Sequence, residues 1–212
     1  MPHPDLIGSV KEYERHVFLA TGRSTWPSHL DQDPGLLGRI AIEIDERGET
    51  FAAKTKVTAI DDAPRAGALD VIVFPEGIRY VGVDEARWRT ILEEHLEGGH
   101  AASGLPVEPF AGRHVFVCVH GARDERCGAC GPPLVARIER EIVERPMHDW
   151  HVHRTSHVGG HKYAGNVLIF PPGDWYGYVG PDDIPAILDA AVAGRTVDPL
   201  WRGRIGKPPA AP

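Results

Sequence analysis

The sequence predicts an α/β protein built as two tandem copies of one βαβ-ββα unit, each with a mixed sheet covered by helices. Three observations predict it. Short β-type runs alternate with segments whose apolar residues recur at helical spacing. The run HVFVC at His114–Cys118 answers HVFLA at His16–Ala20, and FPPG at Phe170–Gly173 answers FPEG at Phe74–Gly77. From Phe74 to Leu92 and from Phe170 to Leu188 the halves align without a gap, Tyr80 meeting Tyr176 and Ile91-Leu92 meeting Ile187-Leu188. Self-similarity at a fixed offset is the mark of an internal duplication.

The first copy, residues 1–100, opens with the β-type run Tyr13–Ala20 and a polar, turn-rich stretch from Thr21 to Asp33. Leu36, Leu37, Ile40 and Ile44 then have helical spacing, over what glycine and Asp45 suggest is a short element, and Phe51–Ile60 reads as a strand. After a charged linker with Pro64, Leu69–Phe74 and Ile78–Val83 flank the turn Pro75-Glu76-Gly77 as a hairpin. Asp84 is placed to cap a helix reaching about Leu96. The second copy, residues 101–198, starts with the strand His114–Cys118. Pro132-Pro133 suits a helix start, and Leu134, Ile138 and Ile142 follow at i, i+4 and i+8. Strands are expected at Trp150–Thr155, Asn166–Phe170 and Trp175–Val179, and Pro181 with Asp182 and Asp183 begins the last helix. Residues 199–212 form a Pro/Gly-rich tail, expected to dock through Leu200 and Trp201. This element order is the thioredoxin plan, so the expected class is a tandem thioredoxin-like fold, the first copy packing on the second as a built-in partner.

Composition narrows the function. No apolar run approaches the ~20 residues of a membrane span, and the first residues lack the basic and apolar regions of a signal peptide. The net charge is −7, with the excess acid in the first half and no basic stripe, which argues against nucleic-acid binding. Three cysteines are too few for a secreted disulfide framework, so a cytoplasmic location and a metal or redox role are expected.

Those cysteines, Cys118, Cys127 and Cys130, all fall in one stretch of the second copy, followed by His157 and His161 around Gly159-Gly160. Two glycines disfavour a helix there, and a loop that curls both imidazoles toward one point fits better. The first copy carries Ala20, His29, Asp61 and Arg65 at corresponding offsets and cannot assemble such a set. The pattern Cys-x8-Cys followed by a pair three residues apart is similar to that of the thioredoxin-like 2Fe-2S ferredoxins, with histidines in place of their second cysteine pair. The strings HVFVCVHGARD (114–124), CGACGPP (127–133), HVGGHKYAGNV (157–167) and WYGYV (175–179) resemble the sucrase/ferredoxin-like family. That resemblance implies a non-Rieske 2Fe-2S cluster held by Cys118, Cys127, His157 and His161, and one-electron transfer with a redox partner protein. Imidazoles in place of thiolates imply a higher potential than an all-cysteine cluster, and their outer nitrogens allow electron uptake to be coupled to protonation. No carboxylate pair supports the "sucrase" of the family's name.

Alternatives stay open. Two cysteines and two histidines also suit a structural zinc site, Cys127-Gly128-Ala129-Cys130 resembles a dithiol redox pair, and a cluster can serve a sensor or adaptor instead of a carrier. His120, His151 and His153 are expected to be solvated, hydrogen-bonded or tuning the site; Cys130 is expected to be a buried small residue or a thiol beside the ligands.

Overall fold

The computed structural model describes residues 5–206. The chain divides into two compact units, one spanning Tyr13–Ala111 and the other starting at Gly112 and taking in residues 5–12.

In the first unit, β1 (Arg15–Ala20) is followed by α1 (Leu36–Arg47), β2 (Thr55–Ile60), β3 (Leu69–Phe74), β4 (Ile78–Val83) and α2 (Glu85–Thr90). A π-helical continuation, Ile91–Glu97, follows, and then a short strand, β5 (Val107–Pro109). The strand order is β2-β1-β3-β4-β5, with β1 parallel to β2 and antiparallel to β3. Every residue of β1 and of β3 is buried. A strand covered on both faces reads as a continuous apolar run, which is why these segments do not alternate. α1 is a full twelve-residue helix, not a short element, because Leu37, Ile40, Ala41 and Ile44 give it one continuous buried stripe. The Asp84 side chain accepts from Arg87 N–H and caps α2, as expected.

The second unit repeats the plan: β6 (Arg113–Cys118), α3 (Glu125–Glu144), β7 (Trp150–Thr155), β8 (Val167–Phe170), β9 (Asp174–Tyr176), α4 (Ile184–Val192) and β10 (Trp201–Arg204). Its order, β7-β6-β8-β9-β10, matches the first unit strand for strand, again with one parallel pair beside β6. Val115 and Val117 of β6, Leu134, Val135 and Ile138 of α3, and Ile184, Ile187 and Leu188 of α4 form its core. Burying each of these aliphatic side chains contributes about 1.5–3 kcal/mol against the cost of ordering the chain.

Three expectations need correction. α3 starts at its cap Asp124, eight residues before Pro132, and carries both prolines inside it. The Asp124 carboxylate accepts from Arg126 N–H and supplies the start signal that the prolines obscured. The first unit extends to Ala111, not to residue 100, because β5 pairs with β4. The tail expected from residue 199 contains β10, which pairs with β9, while Gly8 N–H donates to Arg202 C=O at 2.9 Å. Residues 207–212 of that tail lie outside the described residues. No helix among the described residues is long and apolar enough to cross a membrane.

Candidate metal centre

β6 delivers Cys118 to its C-terminal end, where Cys118 N–H donates to Asn166 C=O at 3.2 Å and Val119 N–H to Thr155 C=O at 3.1 Å. The following loop carries buried His120 and ends at Asp124. Cys127 therefore sits in the first turn of α3, not ahead of it as the sequence suggested.

Two glycines hold α3 close enough for the cysteines to meet. A Cβ on Gly128 would lie 2.7 Å from Gly121 Cα, and one on Gly131 would overlap the Cys118 carbonyl oxygen and approach Val119 Cγ1 to 2.8 Å. The glycines of Cys127-Gly128-Ala129-Cys130-Gly131 are thus a packing surface against the Cys118 loop. Cys118 and Cys127 are both buried; Cys130 is exposed, so of its two expected roles the buried small residue is ruled out.

His157 arrives from the end of β7. Its backbone N–H donates to His120 Nδ1 at 3.0 Å, so the buried His120 ring orients the loop. Beyond it, Gly159 and Gly160 take φ of 89° and 71°, a left-handed turn that β-carbons resist. Arg202 of β10 fixes this turn: its Nη1 donates to Asn166 Oδ1 at 2.6 Å, and Asn166 Nδ2 donates to Gly160 C=O at 3.1 Å. The guanidinium also lies over the Tyr163 ring at 4.6 Å.

The outcome is one convergent group: Cys118, Cys127 and His157 place their ligand atoms within 4.8 Å of one another. His157 Nδ1 is buried and has no hydrogen-bond partner, which is costly for a polar atom and leaves a lone pair or proton unused. His161, the fourth expected residue, does not join this group. Its ring stands 5.7 Å from that of His157, half-exposed, with Nδ1 3.9 Å from Asp124 Oδ2.

The Cys118 thiol is held well below its usual range. A hydrogen bond from Cys127 is the largest cause; burial opposes it, and the His157 side chain and the N–H groups of Val158 and His120 add to it. The same bond, with burial, pushes the Cys127 thiol up. One thiolate is thus favoured by the fold alone, surrounded by donors that suit a sulfur ligand. Two sulfurs and an imidazole nitrogen form a donor set for zinc or for iron-sulfur chemistry and fit magnesium or calcium poorly.

In the first unit, Ala20 of β1 occupies the place of Cys118, as the equivalent registers Ala20↔Ile60 and Cys118↔Thr155 show. His153 Nε2 lies 3.0 Å from His114 Nδ1, and the His151 ring stacks on His114 with centroids 5.1 Å apart, so these histidines serve the sheet. Sequence reasoning missed Asp124, Asn166 and Arg202. Asp124 was legible as a capping residue; Arg202, in a stretch taken for tail, gave no local signal.

The family model for sucrase/ferredoxin-like proteins matches residues 6–203, almost the whole described chain. The chain belongs to the sucrase/ferredoxin-like family. Relatives of this family member include proteins called "altered inheritance of mitochondria protein 32". That of Debaryomyces hansenii is 39 % identical over 97 residues, 43 % of this chain and 35 % of that protein. That of Meyerozyma guilliermondii is 40 % identical over 97 residues, 43 % of this chain and 34 % of that protein. The matched region thus spans about a third of the length of these curated relatives. Among solved structures, a thioredoxin-like 2Fe-2S ferredoxin from Aquifex aeolicus matches with a TM-score of 0.42 at 24 % identity, covering 48 % of this chain and 98 % of that one.

Proposed function

We propose that this sucrase/ferredoxin-like protein is a one-electron carrier whose second unit holds a 2Fe-2S cluster on Cys118, Cys127, His157 and His161. The convergence of two buried thiols and His157, whose Nδ1 is buried without a partner, is the observation that supports it most. When bound, the cluster supplies reversible one-electron chemistry. The chain's own residues do the rest: Gly128 and Gly131 let α3 bring Cys127 to Cys118, and His120 and Arg202 hold the histidine loop from either side. His161, whose ring stands 5.7 Å from that of His157, would supply the fourth ligand. His161 is half-exposed, so with one ring nitrogen on the cluster the other would lie within reach of solvent protons, and electron uptake would be coupled to protonation there. The partner is a redox protein, and the free cysteines are kept reduced by the compartment, cytoplasmic or mitochondrial, in which it works.

A single zinc ion is the second reading, favoured by the closeness of the three donors, which suits one tetrahedral centre. Iron, sulfide and zinc content of anaerobically purified protein decides between them, with visible absorption and EPR after reduction. Two irons and two sulfides per chain support the cluster; stoichiometric zinc without a chromophore refutes the carrier. His157→Ala should abolish the chromophore, whereas His161→Cys should keep it with a lower potential. The potential should fall by about 59 mV per pH unit where the outer nitrogen titrates, and a pH-independent potential removes the proton coupling.

A further inference from the structure

The metal site uses the first cysteine of Cys127-Gly128-Ala129-Cys130 and leaves the second over. Cys127 is buried at the third position of α3, and Cys130 is exposed one turn later. Residues three apart on a helix share a face, with Cβ atoms about 5–6 Å apart. A disulfide needs about 3.5–4.5 Å, so a movement of about 1–2 Å in the first turns of α3 closes the pair. Cys118 touches Cys127 from the interior and is only 1 % exposed. An oxidant arriving from solvent therefore meets Cys130 first.

We propose that Cys130 is the entry thiol of a redox lock on the cluster-free site, closed by exchange with a low-molecular-weight disulfide such as oxidised glutathione. The inference rests on the reading of Cys127 as a metal ligand. In the first step the Cys130 thiolate attacks one sulfur of glutathione disulfide; a mixed disulfide forms and one glutathione leaves. Cys127, its proton passing to the neighbouring Cys118 sulfur and on to solvent, then attacks the Cys130 sulfur; the Cys127–Cys130 bond forms and the second glutathione leaves. Two protein thiols are oxidised and one glutathione disulfide is reduced to two glutathiones, which take up the two thiol protons. The lock removes Cys127 from the ligand set and shields it from irreversible oxidation until a thiol reductant reopens it.

The test uses cluster-free, full-length protein incubated with oxidised glutathione without oxygen or iron, then alkylated and mapped by peptide mass. Part of each sample is offered iron and sulfide before and after reduction. Wild type should hold a Cys127–Cys130 disulfide with Cys118 still alkylatable, and should take up iron only after reduction. Cys127→Ser should stop at a glutathione adduct on Cys130. Cys130→Ser should form an internal disulfide at least about tenfold more slowly and accept iron after the same treatment. A Cys118–Cys127 disulfide forming equally fast in wild type and Cys130→Ser overturns the proposal, as does a glutathione adduct that persists in wild type. Failure of the reduced wild type to bind iron would instead refute the metal-ligand reading, while the thiol map still decides the exchange.

Discussion

Replacing Gly131 with alanine adds one methyl group at the point where α3 rests on the Cys118 loop. The new Cβ would overlap the Cys118 carbonyl oxygen, approach Val119 Cα to 3.0 Å and lie 2.8 Å from Val119 Cγ1. Ordinary carbon–carbon contact is about 3.5–4.0 Å. α3 and the loop must therefore separate by about 0.7–1.2 Å at this point, and two of the close neighbours are backbone atoms that no rotamer change can move. Overpacking of this kind costs about 1–3 kcal/mol. Alanine's higher helix propensity returns at most about 1 kcal/mol, so the substitution remains destabilising unless the clash lies at the bottom of its range. Because the separation opens between Cys118 and Cys127, metal retention should fall by about tenfold or more, as when a group orienting metal ligands is lost. Denaturant unfolding and iron retention against a chelator measure the two effects. Gly48→Ala is the control: its added Cβ meets nothing within 4 Å and its φ of −54° is helical, so it should be neutral or stabilising. Equal stability and iron retention in Gly131→Ala and Gly48→Ala would refute the close-approach reasoning.

Arg202→Met keeps much of the side chain's bulk but leaves Asn166 Oδ1 without its donor; a buried acceptor left unpaired costs about 1–3 kcal/mol. The denaturant midpoint should fall and the His157–His161 loop should become protease-sensitive, while an unchanged midpoint removes Arg202 from the account of that loop. In the first unit, burial raises the Glu76 carboxyl, but hydrogen bonds from His95 and Arg15 outweigh it and hold the pKa at about 2 against the usual 4.5. A folded-state pKa below the unfolded one gives stability that is complete above about pH 4.5 and is lost as pH falls toward 2. Glu76→Gln should flatten the acid limb of stability measured by circular dichroism across that window; an unchanged limb assigns acid sensitivity to other carboxylates.

The duplication was legible because the repeated parts are hairpins and buried strands, whose apolar runs and turn residues are written locally. Asp84 announced α2 for the same reason. α3 was misjudged because two local signals competed: Pro132-Pro133 looks like a start, whereas the Asp124 cap lies about two turns upstream and extends the helix through them. Cys118 and Cys127 stood out because the chain has only three cysteines, and His157 because it pairs with His161 around Gly159-Gly160; the fold brings Cys118, Cys127 and His157 together. Their closeness depends on Gly128 and Gly131 as contact surfaces, and a contact between elements has no signature within either one. Arg202 was invisible for the same reason. Its partners Ser9 and Asn166 are distant in sequence, and β10 is a four-residue strand in a stretch that composition alone describes as tail.

Ser9 and Arg202 are 193 positions apart, yet the Arg202 Nε donates to the Ser9 hydroxyl at 3.0 Å. The Tyr163 hydroxyl likewise donates to Asp5 C=O at 3.0 Å, beside the loop that carries the histidines. During synthesis, the segment that holds Ser9 is made before Tyr13–Ala111, and Arg202 is made after it. The whole of Tyr13–Ala111 is made in between and has its sheet partners at hand while the other unit is still missing its closing strand. The histidine loop thus takes its final form only once β10 has been made, well after the cysteines have appeared.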